Sequence, residues 1–390
     1  MVKFNKKKLT IFVIVMMILS SVLTVTGIGV YMAVSDKAVV SKEQYRTEHE
    51  IAAKYAKLYL IQNRINSEFI GETNEEAQME NLYKSLVSSL GDEYSAYMTK
   101  EEFELWAQYV TGTYEGIGVT FTINENKEIE VVEVNEESPA QAAGLKKGDI
   151  LLTVDGKKYD DLDQVREAIR GEEGTTIKVR YRRNDKETET EIVRGVIEEK
   201  SVFAGEADGT GYIRISKFEN ETTAQFRKEM AGLENKGIDK VVIDLRNNPG
   251  GLMESAIEIA DYLLPECNVI YTKDKNGKKK YYNSDDKSTK MKYAILVNEE
   301  TASAAEILTV AVKENGGGKI IGTKTFGKGI VQYTESLSDG SALKLTTREY
   351  FSPKNNKIHK VGITPDIEVK LPEDAKEDLQ LRKAIEVLNQ

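Results

Sequence analysis

Histidine and cysteine are almost missing from this chain. Its 390 residues hold two histidines, His49 and His359, and one cysteine, Cys267. A single cysteine excludes an intrachain disulfide framework, cysteine zinc clusters and CxxC redox chemistry. Any Ser-His-Asp, Cys-His or multi-histidine metal site would have to use one of the two histidines. Neither lies in an HExxH or other ligand-spaced cluster, so no metal and no cofactor are expected. Positive charge is also in short supply: 54 Lys and Arg stand against 64 Asp and Glu, a net charge of −10. That balance argues against an extended nucleic-acid surface, and no nucleic-acid partner is expected. Internal repeats, low-complexity tracts and Pro-rich linkers are absent. The length allows two or three domains at roughly 150 residues each.

What is present begins with a long apolar run. Leu9 to Val34 carries no charge and is rich in Ile, Val, Leu and Met, exceeding the roughly 20 residues a helix needs to cross a bilayer core. Lys3, Lys6, Lys7 and Lys8 precede it. The positive-inside rule then predicts a cytoplasmic N-terminus, a single pass through the lipid bilayer at residues 9–34, and an exported remainder. The competing reading, a cleavable signal peptide, needs a shorter apolar core of about 7 to 15 residues and a small-x-small cleavage site, for which Gly27 to Ala33 offers little.

Past Ser35, the residues Ile51, Tyr55, Leu58, Gln62, Ile65 and Phe69 recur at spacings of three and four, which predicts an amphipathic helix. Thr73 with Glu76, and Thr99 with Glu102, form two T-x-x-E capping patterns that predict further helix starts. From about Gly112 the period changes to two. Short strands are predicted around Val119 to Ile123, Ile129 to Val134, Asp149 to Val154 and Thr176 to Arg182, with helices at Ser138 to Ala143 and Leu162 to Ile169. After Val196, buried strands at Val241 to Leu245 and Tyr293 to Val297 alternate with helices at Leu252 to Leu264 and Ala304 to Val312, an α/β core. Lys273 to Lys280 reads as a solvated hairpin tip.

Thr301-Ala-Ser-Ala-Ala, taken alone, reads as a helix start with a hydroxyl cap. Its position suggests a second reading. Ser303 follows a buried strand and opens a helix, beside free backbone N–H groups and the positive helix terminus, where an oxyanion can be held. The Ala304 amide is one candidate donor. The turn Asn247-Asn-Pro-Gly-Gly, also after a buried strand, offers Gly250 or Gly251 as the other, although for that loop alone a purely structural turn is the better reading. The serine needs a base. His49 and His359 both read as surface residues, which leaves lysine. Gly327-Lys328-Gly329 has flanking glycines that permit close approach, and a buried amine can lose its proton near neutral pH. On the following strand Lys328, Ile330 and Gln332 would share one face, so that Gln332 can hold the amine. A lysine is ordinarily a solvated charge, and this spacing alone does not distinguish the two readings.

The chain resembles the carboxy-terminal processing peptidases, the tail-specific S41 serine proteases with a PDZ domain before a Ser/Lys core. The stretches carrying the resemblance are Gly91-Asp-Glu-Tyr-Ser-Ala-Tyr-Met, Gly116-Ile-Gly-Val, Ser138-Pro-Ala-Gln-Ala-Ala-Gly-Leu, Gly148-Asp-Ile-Leu, Asp244-Leu-Arg-Asn-Asn-Pro-Gly-Gly, Thr301-Ala-Ser-Ala-Ala-Glu, Gly327-Lys-Gly-Ile-Val-Gln and Gly362-Ile-Thr-Pro-Asp. It implies Ser303 as nucleophile, Lys328 as general base, Gln332 as the residue orienting it, and an oxyanion hole at the Asn-Pro-Gly-Gly turn.

The implied fold is an α+β multidomain chain. Residues 1–35 are a cytoplasmic stub and transmembrane helix, 36–111 a helical dimerisation region, and 112–196 a PDZ-like β-rich domain. Residues 197–371 form an α/β serine protease core of the ClpP/crotonase kind, and 372–390 a C-terminal helix. The partners implied are protein substrates with exposed C-terminal tails and a second copy of the chain. Gly116, Ile117, Gly118 and Val119 resemble a carboxylate-binding loop, Val165 and Ile169 would line the pocket for the last apolar side chain, and Arg170 would signal to the catalytic domain. Val165 and Ile169 read equally as ordinary core of a small module. A membrane-anchored PDZ scaffold with an inactive core is the alternative, and the filled positions 303, 328 and 332 are what separate it from an enzyme.

Overall fold

A computed structural model describes residues 6–35, 40–372 and 375–390; Lys3 lies outside them. The chain divides into two units, Met1–Met79 and Glu80–Gln390.

In the first unit, Lys6–Val34 is one helix of 29 residues with no buried side chain, about 44 Å long at 1.5 Å per residue. Its few hydroxyls bond back to the preceding turn, as Ser21 Oγ does to the Met17 carbonyl at 2.9 Å and Thr24 Oγ1 to that of Ser20 at 2.8 Å. Such back-bonds lower the cost of placing these hydroxyls in lipid, and by length and composition the helix can cross a membrane. The expected amphipathic helix runs Lys42–Glu68. Only part of its apolar stripe is covered: Leu58, Gln62 and Ile65 are half-buried, whereas Tyr55, Tyr59 and Leu60 are exposed. The next helix, Glu75–Ser88, is capped by Asn74 and not by Thr73, its Oδ1 accepting from the Ala77 amide at 3.0 Å. Asn74 directly precedes the first helical residue, where its short acceptor reaches an orphan N–H.

The second unit contains the Thr99 capping box as expected, with the Thr99 hydroxyl and the Glu102 carboxylate each accepting from the other's amide. A five-stranded antiparallel sheet follows in the order Val119–Ile123, Ile129–Val134, Ile150–Val154, Thr176–Arg183 and Lys186–Val193, with the helices Pro139–Ala142 and Leu162–Ile169. Its own core includes Ile117, Val131, Val165, Ile177 and Ile192.

Beyond it lies a six-stranded sheet in the order Ile367–Glu368, Lys319–Gly322, Lys292–Val297, Lys240–Asp244, Thr210–Ile215 and Val202–Ala207. All neighbours are parallel except the last pair. The buried strands alternate between two cores. Val241, Ile243, Ile295 and Val297 face the helices Thr222–Asn235, Met253–Leu263 and Ala304–Asn315. Val242, Ala294 and Leu296 face the C-terminal helix Leu379–Leu388. Burial on both faces explains the unbroken apolar runs, each fully buried Val, Leu or Ile contributing about 1.5–3 kcal/mol. Arg246 fastens this last helix, its guanidinium reaching Asp378 Oδ1 at 3.0 Å and Gln380 Oε1 at 2.9 Å while also bonding Asp244.

A second, antiparallel sheet is built on the long strand Ala342–Phe351. One edge pairs with Ile330–Ser336; the other is shared by Ala96–Met98 and Asn268–Asp274. Lys279–Asn283 closes a hairpin on Asn268–Asp274, so the lysine-rich segment is the turn expected. This sheet brings the loop 327–329 and the segment 91–98 together.

Candidate active site

Ser303 occupies the turn from the strand Lys292–Val297 into the helix Ala304–Asn315, with φ 53° and ψ −119°. Such a conformation costs a non-glycine residue about 1–3 kcal/mol. The Ser303 amide donates to Glu306 Oε2 at 3.0 Å, and the Ser303 carbonyl accepts from the Glu306 amide at 2.8 Å. With Ala304 at the first helical position, the Ala304 N–H has no intrahelical acceptor.

The turn after Lys240–Asp244 wraps around this point. Asn248 is fully buried. Its Nδ2 donates to the Ile215 carbonyl at 2.8 Å, its carbonyl accepts from the Ala302 amide at 3.0 Å, and its Oδ1 accepts from the Gly250 amide at 2.8 Å. Of the two glycines named from sequence, Gly250 has therefore committed its N–H, while that of Gly251 has no acceptor among the described residues. Gly250 is needed for space: at φ +99°, a Cβ there would lie 2.7 Å from Ser303 Cβ and 2.9 Å from the Ala304 nitrogen. At Gly251 a Cβ would lie 2.0 Å from the Phe218 carbonyl oxygen.

Lys328 is half-buried. Burial lowers its pKa, the neighbouring Lys344 charge lowers it further, and Glu93 and Asp92 oppose the shift. Its Nζ stands 4.4 Å from the centroid of the Tyr94 ring, a cation–π distance. Among the described residues, Ser303 Oγ and Lys328 Nζ make no hydrogen bond to each other. Gln332 does not reach the amine either. Its Nε2 donates to Thr346 Oγ1 at 3.2 Å, the residue directly across the strand pair. The structure thus joins Ser303 with Gly250, Gly251 and Ala304, and sets Lys328 beside Tyr94 and Lys344, two residues that local sequence patterns did not single out. His359 is not the plain surface residue expected. It is half-buried, and its backbone packs so closely on Gly329 that a Cβ there would meet the His359 nitrogen at 2.3 Å. His49 is exposed and stacks on Tyr45 at 5.9 Å.

In the PDZ-like module a cleft of about 260 Å3 opens between residues 117–121 and the helix Leu162–Ile169. Ile117, Gly118, Val119, Ile169 and Arg170 line it as expected. Val165 does not; it is 1 % exposed and belongs to the module's core. Leu162 and Arg166 line it instead, because a spacing of four and then three follows one side of a helix while Val165 turns inward. Gly116 lies outside the cleft, paired with Gly195 in a short ribbon. Arg170 packs over the Tyr114 ring at 5.4 Å, and its buried Nε finds no acceptor among the described residues.

A PDZ-like module followed by an α/β core with a half-buried serine on a strained strand-to-helix turn has the build of a serine-type peptidase, and comparison with known proteins places it further. Residues 209–369 match the model of peptidase family S41, and residues 116–193 match a PDZ domain. A "Probable CtpA-like serine protease" of Staphylococcus haemolyticus is 33% identical over 365 residues, covering 92% of this chain and 73% of that protein. A relative of the same description from Staphylococcus epidermidis is 32% identical over 379 residues, covering 95% and 75%. The chain belongs to peptidase family S41. Among solved structures, the photosystem II D1 C-terminal processing protease is similar at 25% identity, with 85% of this chain and 91% of that chain covered and a TM-score of 0.49.

Proposed function

We propose that this chain is a membrane-anchored endopeptidase whose catalytic part faces outward and which cleaves proteins near their C-termini through Ser303 and Lys328. The observation that carries the reading is the notch at Ser303, where the strained turn packs against Gly250 and where the amides of Gly251 and Ala304 have no acceptor among the described residues. Ser303 Oγ attacks the scissile carbonyl while neutral Lys328 takes its proton. The two amides hold the oxyanion, and Lys328 returns the proton to the leaving amine; water then resolves the acyl-enzyme by the same route. Gln332 is the residue that orients the amine. Its Nε2 is held by Thr346, which leaves its Oε1 to accept from Lys328.

The PDZ cleft selects the tail. An extended peptide adds beside Val119–Ile123, its carboxylate meets the amides of the 117–119 loop, and its last apolar side chain enters between Leu162, Arg166 and Ile169. Captured tail releases Arg170 from Tyr114 to pair with the catalytic core, which draws Lys328 from Tyr94 toward Ser303. Because a ligand shifts an equilibrium only by its differential affinity for the two states, amidating the C-terminus of a peptide substrate is expected to slow cleavage several-fold, and Arg170→Ala to lower turnover. Equal rates for free and amidated tails refute tail capture. A wild-type rate for Arg170→Ala removes the relay while leaving the dyad intact.

The helix Lys6–Val34 anchors the chain with Lys6, Lys7 and Lys8 inside, and the exposed Tyr55, Tyr59 and Leu60 of Lys42–Glu68 make contacts with a second copy. Protease added to wall-free cells is expected to digest the chain beyond Ser35 and spare its N-terminus, and the detergent-solubilised chain to sediment as a dimer. A mature N-terminus near residue 34 or a monomer overturns the respective part.

A further inference from the structure

Among the described residues the side chains of Glu306 and Tyr350 make no hydrogen bond to the Ser303 hydroxyl or the Lys328 amine, yet between them they hold both residues by the backbone. Glu306 lies on the first turn of the helix that Ser303 opens and is fully buried. A carboxylate in that position is costly unless its lone pairs are filled, and here four donors converge on it. Oε1 accepts from Thr325 Oγ1 at 2.6 Å and from the Gly327 amide at 2.8 Å; Oε2 accepts from the Ser303 amide at 3.0 Å and the Lys328 amide at 2.7 Å. Burial raises the carboxyl pKa, while these hydrogen bonds oppose the rise.

Tyr350, on the long strand Ala342–Phe351, is 1 % exposed. Its single hydroxyl proton is shared between the Ser303 carbonyl, at 3.0 Å, and the Lys328 carbonyl. The N–H and the C=O of Ser303, and the N–H and the C=O of Lys328, are therefore all bound by the same two side chains.

We infer that Glu306 and Tyr350 are positioning residues that clamp the peptide units of the serine and the lysine to each other, so that the distance between them survives movement of either element. The inference rests on the reading of Ser303 and Lys328 as nucleophile and base. Stability alone does not account for the carboxylate, since a well-packed apolar group of similar volume is often as stable in such a place or more so. The clamp also joins elements that otherwise belong to different sheets: Ser303 follows a strand of the parallel sheet, and Lys328 leads into Ile330–Ser336 of the antiparallel one. It holds Ser303 at its strained φ and uses no atom that the reaction needs. The lysine amine can swing between Tyr94 and Ser303 while its Cα stays fixed.

The test uses the full chain in detergent micelles, with casein as the unfolded probe substrate. Tyr350→Phe and Glu306→Gln are each expected to lower kcat by about 10- to 100-fold with KM unchanged, the scale of loss that a displacement of about 1 Å produces. In Glu306→Gln the amide NH2 opposes two of the four donors, the Ser303 and Lys328 amides or the Thr325 hydroxyl and the Gly327 amide. The freed lysine gains hydration, and the pH at which activity rises moves alkaline, a readout that mere loosening of the core does not move. Thr325→Val removes one donor without touching either catalyst and is expected to show the same displacement with a smaller loss, which keeps the test open if Glu306→Gln does not fold. Wild-type kcat with an unmoved pH profile in a folded variant overturns the clamp, as does a loss of activity that only follows the unfolded fraction. Lys328→Ala serves as the control. If it cleaves casein at the wild-type rate, the dyad reading itself falls and the clamp with it. If it is inactive while Tyr350→Phe and Glu306→Gln are unaffected, only the clamp falls.

Discussion

Ser303→Ala is expected to abolish casein cleavage, by a factor on the order of 10⁴ to 10⁶, while the chain remains folded. Alanine tolerates the positive φ no worse than serine does, and the turn is held through the Ser303 backbone, its amide on Glu306 and its carbonyl on Tyr350. Lys328→Arg is expected to be equally inactive. Arginine keeps the charge and the stem but cannot release a proton at usable pH, so it separates a base from a mere cation. A residual rate near wild type in Lys328→Arg would remove lysine from the mechanism. The pH dependence carries a sign. Burial, and after it the Lys344 charge, lowers the Lys328 pKa below its ordinary value, so the neutral base forms and activity rises as pH climbs through that lowered range. Lys344→Met removes the like charge. The Lys328 pKa then rises and the ascending limb of the kcat/KM profile moves alkaline; a limb that stays put, or moves acid, shows that Lys344 does not tune the base.

Gly250→Ala should lower kcat by about 10²- to 10³-fold, the scale of losing one oxyanion donor. The new methyl group would stand 2.7 Å from Ser303 Cβ, 2.8 Å from the Ala302 carbonyl oxygen and 2.9 Å from the Ala304 nitrogen. The only relief is for the 247–251 turn to draw back, which carries the free Gly251 amide away from that of Ala304. The φ of +99° adds backbone strain of about 1–3 kcal/mol, so some fall in melting temperature is expected as well. Gly174→Ala supplies the comparison: its φ is +81°, but nothing lies within 4 Å of the added Cβ. That variant should bear similar strain and keep its rate. If Gly250→Ala, assayed where it is folded, turns over at the wild-type rate, the notch is not the oxyanion site.

Periodicity alone located the buried strands that became Lys240–Asp244 and Lys292–Val297 and the helices after them, because side chains packed on both faces of a parallel sheet leave unbroken apolar runs. The Thr99 capping box was legible for the same local reason, its two partners being three residues apart. The Ser303 turn followed from its place between strand and helix, and the scarcity of histidine made lysine the candidate base. Where a choice depended on which neighbour a side chain meets, local patterns did not decide it. Both Thr73 and Asn74 can cap a helix, and the backbone selected Asn74. A helix of eight residues offers several faces, and packing against Ile117 and Ile177 turned Val165 inward and left Leu162 and Arg166 to the cleft. Gly250 and Gly251 read alike until Asn248 took the amide of one of them. Tyr94 reached Lys328, and Glu306 and Tyr350 came to hold the serine and the lysine together, through the pairing of Ala96–Met98 and Ile330–Ser336 with one long strand. Residue types and short-range spacing determined which groups this chain has for chemistry. Long-range strand pairing, set by burial summed over whole sheets, decided which of those groups meet.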